Sequence, residues 1–465
     1  MKIYDVIVIG MGPAGMAAST TASNFGLKVL AIESNKIGGE CLNCGCIPSK
    51  AILNVAALKD DIDNISEFGL KINGSLDIKD VFLPIQNRID TIGQKKAEKV
   101  FENVDRLIGV QAEFIDSHTI KAGNNLYYAS KAIFIATGSK PFIPNIKGIE
   151  RIDYLTNKNI FKINEIPERL VIIGGGAIAS EMALSFKVLG SKQVSMINMD
   201  EHLIPSVDKD VAEVLEEQFL KRGIEVHNNT IATSVYKDGN TIVVNTTNGM
   251  LKCDKILVAA GRVPNIDRLA LEKANVHYSK KGIIVDEFNR TNEKHIYAVG
   301  DCNGINLFSH AAMHQGMLSV MHLLGTDSPC NLKRSIYPVP WAIFTFPEIA
   351  HVGATEKQLE KEGIKFSIVK DYFKNYGRSL VDLKDEGFVK IMVDDRGYVL
   401  GASIVGNHAS ELIAEWTMAI QNHITIMDVA MMQHAFPTLS MMNLRVAQMA
   451  MMQFYANKGT LPQTA

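Results

Sequence analysis

The sequence has little of several features that would assign it to a special class. Its 465 residues include 48 Lys and Arg against 50 Asp and Glu, so no basic excess points to nucleic acid or to a membrane surface. We find no uninterrupted apolar run long enough to cross a bilayer. The first residues, "MKIYDVIVIG", lack the charged and apolar segments of a signal peptide. We therefore expect a cytoplasmic protein without membrane or nucleic-acid partners.

Cysteine is scarce, with six residues in all, yet three of them stand together in "GGECLNCGCIPSK" as Cys41, Cys44 and Cys46. Structural disulfides are rare in the cytoplasm, where clustered thiols are more often catalytic or metal-binding. The scattered Cys253, Cys302 and Cys330 are interpreted as small core or surface residues. The cluster is therefore the first candidate site.

The N-terminal stretch "YDVIVIGMGPAG" has the pattern of a strand, a glycine turn and a helix start. Gly10, Gly12 and Gly15 form G-x-G-x-x-G, and Glu33 ends the apolar part of the next strand, "KVLAIES". In a dinucleotide-binding unit, glycines let the backbone approach the pyrophosphate at a helix N-terminus, and the acid accepts a hydrogen bond from a ribose hydroxyl. This predicts a first dinucleotide site, with a ligand-free tight turn as the alternative.

The same pattern recurs about 160 residues later. "ERLVIIGGGAIASEMALSF" contains Gly174, Gly176 and Ala179, and the following strand, "QVSMIN", ends at Asn198. Each unit has a later partner strand, "KAIFIATGSKP" for the first and "DKILVAAGRVPN" for the second. A further strand, "HIYAVGDC", places Asp301 at its carboxyl end, where open α/β sheets bind ligands. A helix N-cap is the alternative role for Asp301.

Two dinucleotide sites and a thiol cluster indicate a path for electrons from a nicotinamide, through a flavin, to a cysteine pair. The chain resembles the FAD-dependent pyridine nucleotide–disulfide reductases, the group of dihydrolipoamide dehydrogenase, glutathione reductase and mercuric reductase. The resemblance rests on nine stretches in order: "GMGPAG", "GGECLNCGCIPSKAIL", "IATGSKP", "GGGAIASE", "AAGRVPN", "IYAVGD", "FTFPEIAHVG", "ASELIAE" and "HAFPTLS".

The resemblance implies an α/β fold with two Rossmann-like dinucleotide-binding domains, for FAD and for NAD(P), and an α+β C-terminal dimerisation domain. The implied order is an FAD domain at 1–148, an NAD(P) domain at 149–268, a return to the FAD domain at 269–335 and an interface domain at 336–465. It also implies a homodimer, in which the C-terminal segment of one subunit completes the thiol site of the other.

The resemblance also implies roles for single residues. Cys41 and Cys46 match the redox pair, in which the first thiol attacks substrate and the second contacts the flavin. Lys50 matches the lysine beside the reactive nitrogen of the flavin, and Glu181 matches its glutamate partner. Gly10, Gly12, Gly15 and Glu33 would hold the ADP half of FAD, and Asp301 its ribityl chain. The other implied cofactor contacts are Gly39, Thr137, Gly138, Gly174, Gly176, Asn198, Gly261, Arg262 and Gly300. No resident metal is implied.

Regular helix geometry does not favour the pair Cys41–Cys46. Residues five apart are separated by about 7.5 Å along a helix axis, beyond the roughly 7 Å Cα limit for a disulfide. Cys44, three positions from Cys41, would be the better partner in an ideal helix. We keep Cys41–Cys46 because the family motif fits and because Gly45 permits a distorted turn. Cys44 is interpreted as a small apolar filler, with a third redox or metal-binding thiol as the alternative.

The nicotinamide is expected to be NAD, with NADP possible. Nearby arginines would neutralise the 2′-phosphate of NADP, but "INMDEHLIP" has none, and Asp200 and Glu201 follow the neutral Asn198. Ala179, in place of the third glycine, occurs in NADP-type fingerprints and argues the other way.

The C-terminus departs from the thiol-reducing members, which usually carry "HxHPTxSE" with an acid/base His and an orienting Glu. This chain reads "HAFPTLSM", so Phe436 and Met441 replace that dyad. On an extended segment His434 would share a face with Phe436 but lie about 6.5 Å further along; we interpret it as a structural histidine bonded to backbone. An aromatic residue at 436 is similar to mercuric reductase, which however also needs a vicinal cysteine pair near its C-terminus, and the last cysteine here is Cys330.

The main hypothesis is an FAD-dependent oxidoreductase that passes electrons between NAD(P)H, flavin and Cys41–Cys46, and on to a small thiol or disulfide, a metal ion or a quinone. The alternatives are a true dihydrolipoamide dehydrogenase with another base, a metal-ion or quinone reductase, and a flavin-loaded scaffold with vestigial catalysis. Nine methionines fall between Met418 and Met452. We interpret them as a Met-rich core or interface, with a soft-metal site as the minor alternative.

Overall fold

The computed structural model describes residues 1–73, 78, 80–325 and 332–458. The strands are β1 (Lys2–Ile9), β2 (Val29–Glu33), β3 (Asp105–Ile108), β4 (Ala112–Phe114), β5 (Thr119–Ala122), β6 (Asn125–Ile135), β7 (Ser139–Pro141), β8 (Arg169–Ile173), β9 (Gln193–Ile197), β10 (Ile224–His227), β11 (Ala232–Asp238), β12 (Thr241–Thr246), β13 (Gly249–Cys253), β14 (Lys255–Val258), β15 (Arg262–Pro264), β16 (Tyr278–Ser279), β17 (Gly282–Ile283), β18 (Ile296–Ala298), β19 (Trp341–Ile343), β20 (Glu348–Gly353), β21 (Ser367–Tyr372), β22 (Phe388–Val393) and β23 (Val399–Gly406). The α-helices are α1 (Pro13–Asn24), α2 (Gly39–Cys44), α3 (Cys46–Asp63), α4 (Phe82–Val100), α5 (Ala177–Val188), α6 (Lys209–Lys221), α7 (Ser309–Leu323), α8 (Glu356–Glu362), α9 (Gly377–Val381), α10 (Ala409–Gln421), α11 (Ile426–Met431) and α12 (Met441–Asn457).

The N-terminal sheet has seven strands in the order β3-β2-β1-β6-β5-β4, with β18 paired to β6. Strands β1, β2, β3, β6 and β18 run parallel, and β4 and β5 add antiparallel neighbours at one edge. Residues Val6 to Ile9 of β1 are buried, which suits a β-branched strand covered on both faces of a parallel sheet. The register aligns Val6 with Val29 and Val8 with Phe134.

A second parallel sheet follows, in the order β10-β9-β8-β14, with α5 connecting β8 to β9. A three-stranded antiparallel sheet, β11-β12-β13, lies within the same stretch of chain. The chain then returns to the first sheet through β18, which contains part of the predicted strand "HIYAVGDC". The two predicted dinucleotide-binding units are therefore confirmed as folds, while the exact domain boundaries stay a prediction.

The C-terminal part is an antiparallel sheet, β19-β20-β23-β22-β21, packed against α10 and α12. Trp416 on α10 is fully buried, and its indole N–H donates to Oδ1 of Asn443 on α12 at 2.8 Å. The buried aromatic ring and this hydrogen bond join the two helices over the sheet. The predicted α+β C-terminal domain is confirmed.

A buried lysine joins this domain to the second dinucleotide unit. Lys390 on β22 is completely buried, and its ammonium lies 2.9 Å from Asp208, 2.7 Å from Asp210 and 2.6 Å from Glu356. Lys370 forms a further ion pair with Asp210. Buried charges persist only when they are paired and hydrogen-bonded. The carboxylates at the start of α6 and α8 therefore need this ammonium, and the two parts of the chain share one charge cluster.

Candidate functional site

The thiol segment is two helices and not one. α2 ends at Cys44, α3 begins at Cys46, and Gly45 between them has φ −135° and ψ −114°. A Cβ at Gly45 would lie 2.9 Å from the carbonyl oxygen of Glu40, so a larger residue would push the helices apart. The predicted distortion therefore exists, and it brings Cys41 and Cys46 within hydrogen-bond reach of each other.

The electrostatics of the two thiols are unequal. Cys41 donates a hydrogen bond to the sulfur of Cys46, which lowers the pKa of Cys46 from 9.0 to about 6 and raises the pKa of Cys41. The hydroxyl of Ser309, the first residue of α7, lies 3.2 Å from Sγ of Cys46. Lys50 adds a favourable charge to the Cys46 thiolate. The structure thus places the thiolate at Cys46 and the proton at Cys41.

Lys50 and Glu181 come together across 131 positions of chain. The ammonium donates to both carboxylate oxygens of Glu181, at 2.7 and 2.9 Å. Glu181 is buried and also accepts from the backbone N–H of Phe344 at 3.1 Å. The ammonium lies 4.6 Å from the centroid of the Phe344 ring, a cation–π distance. The predicted pair is therefore held from two sides, one turn of α3 beyond Cys46.

Both glycine loops follow one steric rule. Gly10 has φ +105° and Gly174 has φ +132°, a conformation that L-residues rarely adopt. A Cβ at Gly10 would overlap the carbonyl oxygen of Ala136, and a Cβ at Gly174 would overlap that of Ala259, each the first residue after the later partner strand. Gly12 and Gly176 are the N-caps of α1 and α5. A Cβ at Gly15 would overlap the Gly10 carbonyl, and one at Gly39 would lie 2.9 Å from Cα of Gly12.

The residues that end the second strands of the two units differ. Glu33 is buried and accepts from the backbone N–H groups of Met11 and Asn35, each at 2.8 Å, so it braces the first glycine loop. Asn198 is also buried, but its amide donates to the carbonyl of His202 at 2.9 Å and to Oδ1 of Asn228 at 2.8 Å. The second unit therefore uses its amide to hold its own loop.

A polar cluster surrounds Asp301. Ser139 donates to its carboxylate at 2.5 Å, and Nε of Arg262 donates to the same hydroxyl at 2.7 Å. Arg262 also forms an ion pair with Glu40, which accepts from Asn157 at 3.1 Å. Burial raises the pKa of Asp301, opposed by Ser139 and Arg262. The cluster therefore connects the first sheet to the thiol segment through charged hydrogen bonds.

The remaining predicted cofactor contacts line the same region. Gly138, Gly261 and Gly300 have φ of +68°, +118° and +76°, and the N–H of Gly300 donates to Oε1 of Gln315 at 2.8 Å. The hydroxyl of Thr137 is buried and has no hydrogen-bond partner among the described residues. Such a hydroxyl is free to accept a partner from a bound ligand or a water. With the side-chain-free cradle at Gly10, these features fit a bound dinucleotide.

Cys44 stands apart from the redox pair. Its carbonyl accepts from Asn157 at 3.1 Å, and burial, followed by the charge of Glu40, raises the pKa of its thiol to about 11. It is therefore a neutral thiol near pH 7, and its role as a filler stays a prediction.

The C-terminal segment corrects one expectation. His434 and Phe436 do not share a face, because the His434 side chain is 4% exposed while Phe436 is 79% exposed. Nε2 of His434 donates to Oε1 of Glu415 at 2.9 Å, and Nδ1 lies 3.3 Å from the Met432 carbonyl oxygen. The backbone contact agrees with a structural histidine, but the Glu415 partner was not expected. Met441 is the first residue of α12 and packs against the C-terminal core.

Within the part of the chain that the structure describes, one segment is apolar and long enough, by length and composition alone, to cross a membrane: Gly39–Asp63, which was not expected. It comprises α2 and α3, with the break at Gly45 and the ion-paired Lys50 inside it. Its Ile52 and Ala56 are completely buried in the protein core. We therefore interpret it as a core helix segment.

Comparison with known proteins decides the family. Residues 4–316 match the model of the pyridine nucleotide-disulphide oxidoreductases, and residues 339–445 match the dimerisation domain of the same proteins. The chain belongs to this family. Its members bind FAD and NAD(P), so the dinucleotide that fits the first site is FAD. The predicted fold, the cofactors and the class of FAD-dependent disulfide oxidoreductase are confirmed.

Individual relatives of this oxidoreductase have different activities. A dihydrolipoyl dehydrogenase of Chlamydia muridarum is 32% identical over 94% of this chain and 95% of its own. A mercuric reductase of Staphylococcus aureus is 32% identical over 92% of this chain and 78% of its own. Among solved structures, the HOCl-induced flavoprotein disulfide reductase RclA of Escherichia coli is 25% identical with a TM-score of 0.86, covering 96% and 99% of the two chains. A Cu(II) complex of RclA matches with a TM-score of 0.83.

Sequence reasoning missed four residues of this site. Ser309, Ser139, Glu40 and Glu415 each contact a predicted residue, but our reading gave them no role, although the last three lie within the quoted stretches "IATGSKP", "GGECLNCGCIPSKAIL" and "ASELIAE". Ser309 is the first residue of α7, in "FSHAAMHQG", and lies outside all nine quoted stretches. Cys330 lies outside the described residues.

Proposed function

We propose that this oxidoreductase takes electrons from NADH and delivers them through the Cys41–Cys46 pair to an acceptor that needs little proton transfer. Bound FAD supplies the two-electron chemistry that links the nicotinamide to the thiols. The observation that carries the proposal is the combination of a thiolate at Cys46 with a C-terminal segment that offers Phe436 where a proton carrier is usual.

In this proposal Cys41, Cys46 and Lys50 have different roles. Cys41 keeps its proton and is the outer thiol that meets the acceptor, whereas Cys46 is held as a thiolate by Cys41, Ser309 and Lys50. Lys50, fixed by Glu181, is the cation beside the redox pair. A scaffold without catalysis would not need this arrangement.

The class of acceptor is inferred from the lack of a proton-carrying side chain at positions 436 and 441. Phe436 and Met441 cannot move a proton, and His434 is buried against Glu415. We propose that the exposed Phe436 lies against the thiol site of a partner subunit in a homodimer, where it forms an apolar mouth. Such a mouth suits a soft metal ion or a quinone better than a polar disulfide. A mercuric reductase among the relatives and the Cu(II) complex of RclA favour a metal ion.

The second candidate is a dihydrolipoamide dehydrogenase with another base, because the match to dihydrolipoyl dehydrogenases extends over nearly the whole chain. NAD as the nicotinamide is supported by the neutral Asn198, whose amide is used by its own loop, and by the acidic Asp200 and Glu201 beside it. We also propose a cytoplasmic location.

Anaerobic half-reactions test the proposal. NADH should bleach the flavin of the holoenzyme rapidly, and reoxidation should be fast with Cu(II), of which two ions take up the two electrons and become Cu(I). Reoxidation by lipoamide should be slower by a factor of about 10² to 10⁴ than in a relative with the dyad, since a positioned acid/base contributes that much to rate.

Cys41→Ser provides the matched control. It should keep the reduction of the flavin by NADH and lose turnover with each acceptor. Lipoamide turnover as fast as in a dyad-bearing relative would refute the proposed acceptor class and favour the dehydrogenase.

A further inference from the structure

The third thiol of the cluster stands where disulfide exchange could misdirect the redox pair. Cys44 lies three positions after Cys41 on α2, so their Cβ atoms are about 5 to 6 Å apart in a regular helix. A disulfide needs about 3.5 to 4.5 Å between the Cβ atoms. Cys44 can therefore bond to Cys41 only if α2 unwinds, and the helix itself keeps the two thiols apart.

Helix α2 has little stability of its own. It is six residues long, it follows Gly38 at φ +89°, it ends at the hinge residue Gly45, and Leu42 is its buried residue. Isolated helices shorter than about 12 to 15 residues are marginal in water, and the last carbonyls of a helix have no partner within it. Contacts from the rest of the chain must therefore hold α2 in its helical form.

Asn157 binds both ends of α2 with one side chain. It is 6% exposed, and its Nδ2 donates to Oε2 of Glu40 at 3.1 Å and to the Cys44 carbonyl oxygen at 3.1 Å. The second hydrogen bond gives a partner to a carbonyl that a helix end leaves free, directly before Gly45. The amide thus fixes the start and the end of α2 to one point of the protein.

The carboxylate of Glu40 is held in place as well. It forms an ion pair with Arg262 and lies 3.7 Å from Nζ of Lys158. Glu40 and Cys44 are four residues apart on α2, so they share one helix face. Burial and, next, the charge of Glu40 raise the pKa of the Cys44 thiol to about 11. Because the thiolate is the attacking form, the carboxylate that holds the helix also suppresses attack by Cys44.

We propose that Asn157 and Glu40 are positioning residues that keep the third thiol out of disulfide exchange with the redox pair. In that exchange Cys44 would lose its proton to solvent, attack Sγ of Cys41 and release Cys46 as a thiolate. One S–S bond forms and one breaks, so the step needs no oxidant or reductant. The inference rests on the Cys41–Cys46 pair of the proposed function and adds what protects that pair.

Peptide mapping of the oxidised holoenzyme tests the pairing directly. Trypsin releases residues 37–50 as one peptide with all three thiols, so the one cysteine that is alkylated in an acid-quenched sample identifies the bridge. In the unmodified protein we expect the label on Cys44, and label on Cys41 or Cys46 defines the mispaired fraction. After incubation in mildly alkaline buffer, Asn157→Ala should show at least about tenfold more mispairing, because a hydrogen bond to a charged group changes an equilibrium about ten- to a hundredfold.

Further variants separate hydrogen bonding from charge. Asn157→Asp has the same shape but lacks the N–H groups, so it should behave like Asn157→Ala. Glu40→Gln removes the charge and should lower the pKa of the Cys44 thiol. A fall of about one pKa unit gives about tenfold more thiolate of lower nucleophilicity, and hence about three- to fourfold faster exchange. Lys158→Ala is the control: this ammonium opposes the effect of Glu40 on Cys44, so its loss should not increase mispairing.

The outcomes separate this inference from the proposed function. Mispairing that stays at the level of the unmodified protein in all three variants at positions 157 and 40 would overturn the inference and leave the redox pair as assigned. Label on Cys46 in the unmodified protein would overturn the assignment of the pair, and the inference with it.

A double variant distinguishes mispairing from simple structural damage. Cys44→Val in the Asn157→Ala background removes the third thiol, so turnover that was lost through mispairing should return. Turnover that stays low in the double variant would show that Asn157 acts on the site in another way and would count against the inference. Retained FAD, measured as flavin absorbance per chain, shows that each variant is folded.

Discussion

Ser309 offers the sharpest test of how the redox pair is tuned. Its hydroxyl lies 3.2 Å from Sγ of Cys46, and the Cys46 pKa is lowered to about 6 mainly by the hydrogen bond from Cys41, with Ser309 as the next favourable contact. Ser309→Ala removes one donor to a half-buried thiolate and leaves Cys41 in place. Because the thiolate loses stabilisation and the thiol does not, the pKa of Cys46 should rise.

The size of the shift follows from the energy of one such hydrogen bond. A hydrogen bond to a charged group contributes about 1.5 to 3 kcal/mol, and 1.36 kcal/mol corresponds to one pKa unit. The pKa of Cys46 should therefore move from about 6 by roughly one to two units, to between about 7 and 8. At pH 7 the thiolate would fall from about nine-tenths of the molecules to between about half and a tenth.

The assay is a pH titration of the two-electron-reduced holoenzyme. A thiolate against oxidised flavin gives a long-wavelength absorbance band, which should be present above the pKa of Cys46 and lost as the pH falls through it. The midpoint should lie near pH 6 in the unmodified protein and shift upward in Ser309→Ala. Ser309→Thr keeps a hydroxyl and should retain most of the original midpoint.

Two outcomes would contradict this reasoning. An unchanged midpoint in Ser309→Ala would mean that the hydroxyl does not stabilise the thiolate. A band that survives Cys46→Ser but is lost in Cys44→Ser would show that the working pair itself is misassigned.

Three further predictions follow from single contacts. Cys44→Val should keep turnover within about twofold, the effect of a substitution that breaks no named interaction, and a large loss or a released metal would instead support a three-thiol site. Phe436→His with Met441→Glu should raise lipoamide turnover at least about tenfold, part of the contribution of an acid/base dyad; steady-state assays that find no gain would place the missing base elsewhere. Gly10→Ala should abolish FAD retention, measured as flavin absorbance per chain, because a Cβ there overlaps a carbonyl oxygen and φ is +105°; a fully yellow variant would argue against the cradle.

The secondary structure around the two glycine loops was predictable because it depends on residues that are close together in the sequence. The strand, turn and helix around Gly10 and around Gly174 follow from β-branched runs and from glycine's tolerance of positive φ. Glu33 likewise stands at the end of β2, as its distance from the glycine turn indicated. The break at Gly45 was expected from the spacing of the two thiols.

The non-local contacts were not predictable in the same way. Ser309 reaches Cys46 across 263 positions, and only the packing of α7 on α1 decides that meeting. His434 was assigned to the face of Phe436 from strand geometry, but the segment is irregular there and turns the imidazole inward to Glu415. A local sequence pattern predicts the secondary structure of its own segment. It does not predict which distant residue will contact that segment in the folded chain.

The charge cluster around Lys390, between the second dinucleotide unit and the C-terminal domain, has a consequence for recombination between related sequences. Removing the ammonium of Lys390 would leave the buried Asp208 and the half-buried Asp210 and Glu356 without their shared cation, and breaking a buried pair costs about 3 to 5 kcal/mol. Folds built from repeated units invite recombination between relatives, but these positions can be exchanged only as a set. A chimera that takes α6 from this chain and β22 from a relative would have to keep a lysine at position 390, because α6 brings its carboxylates.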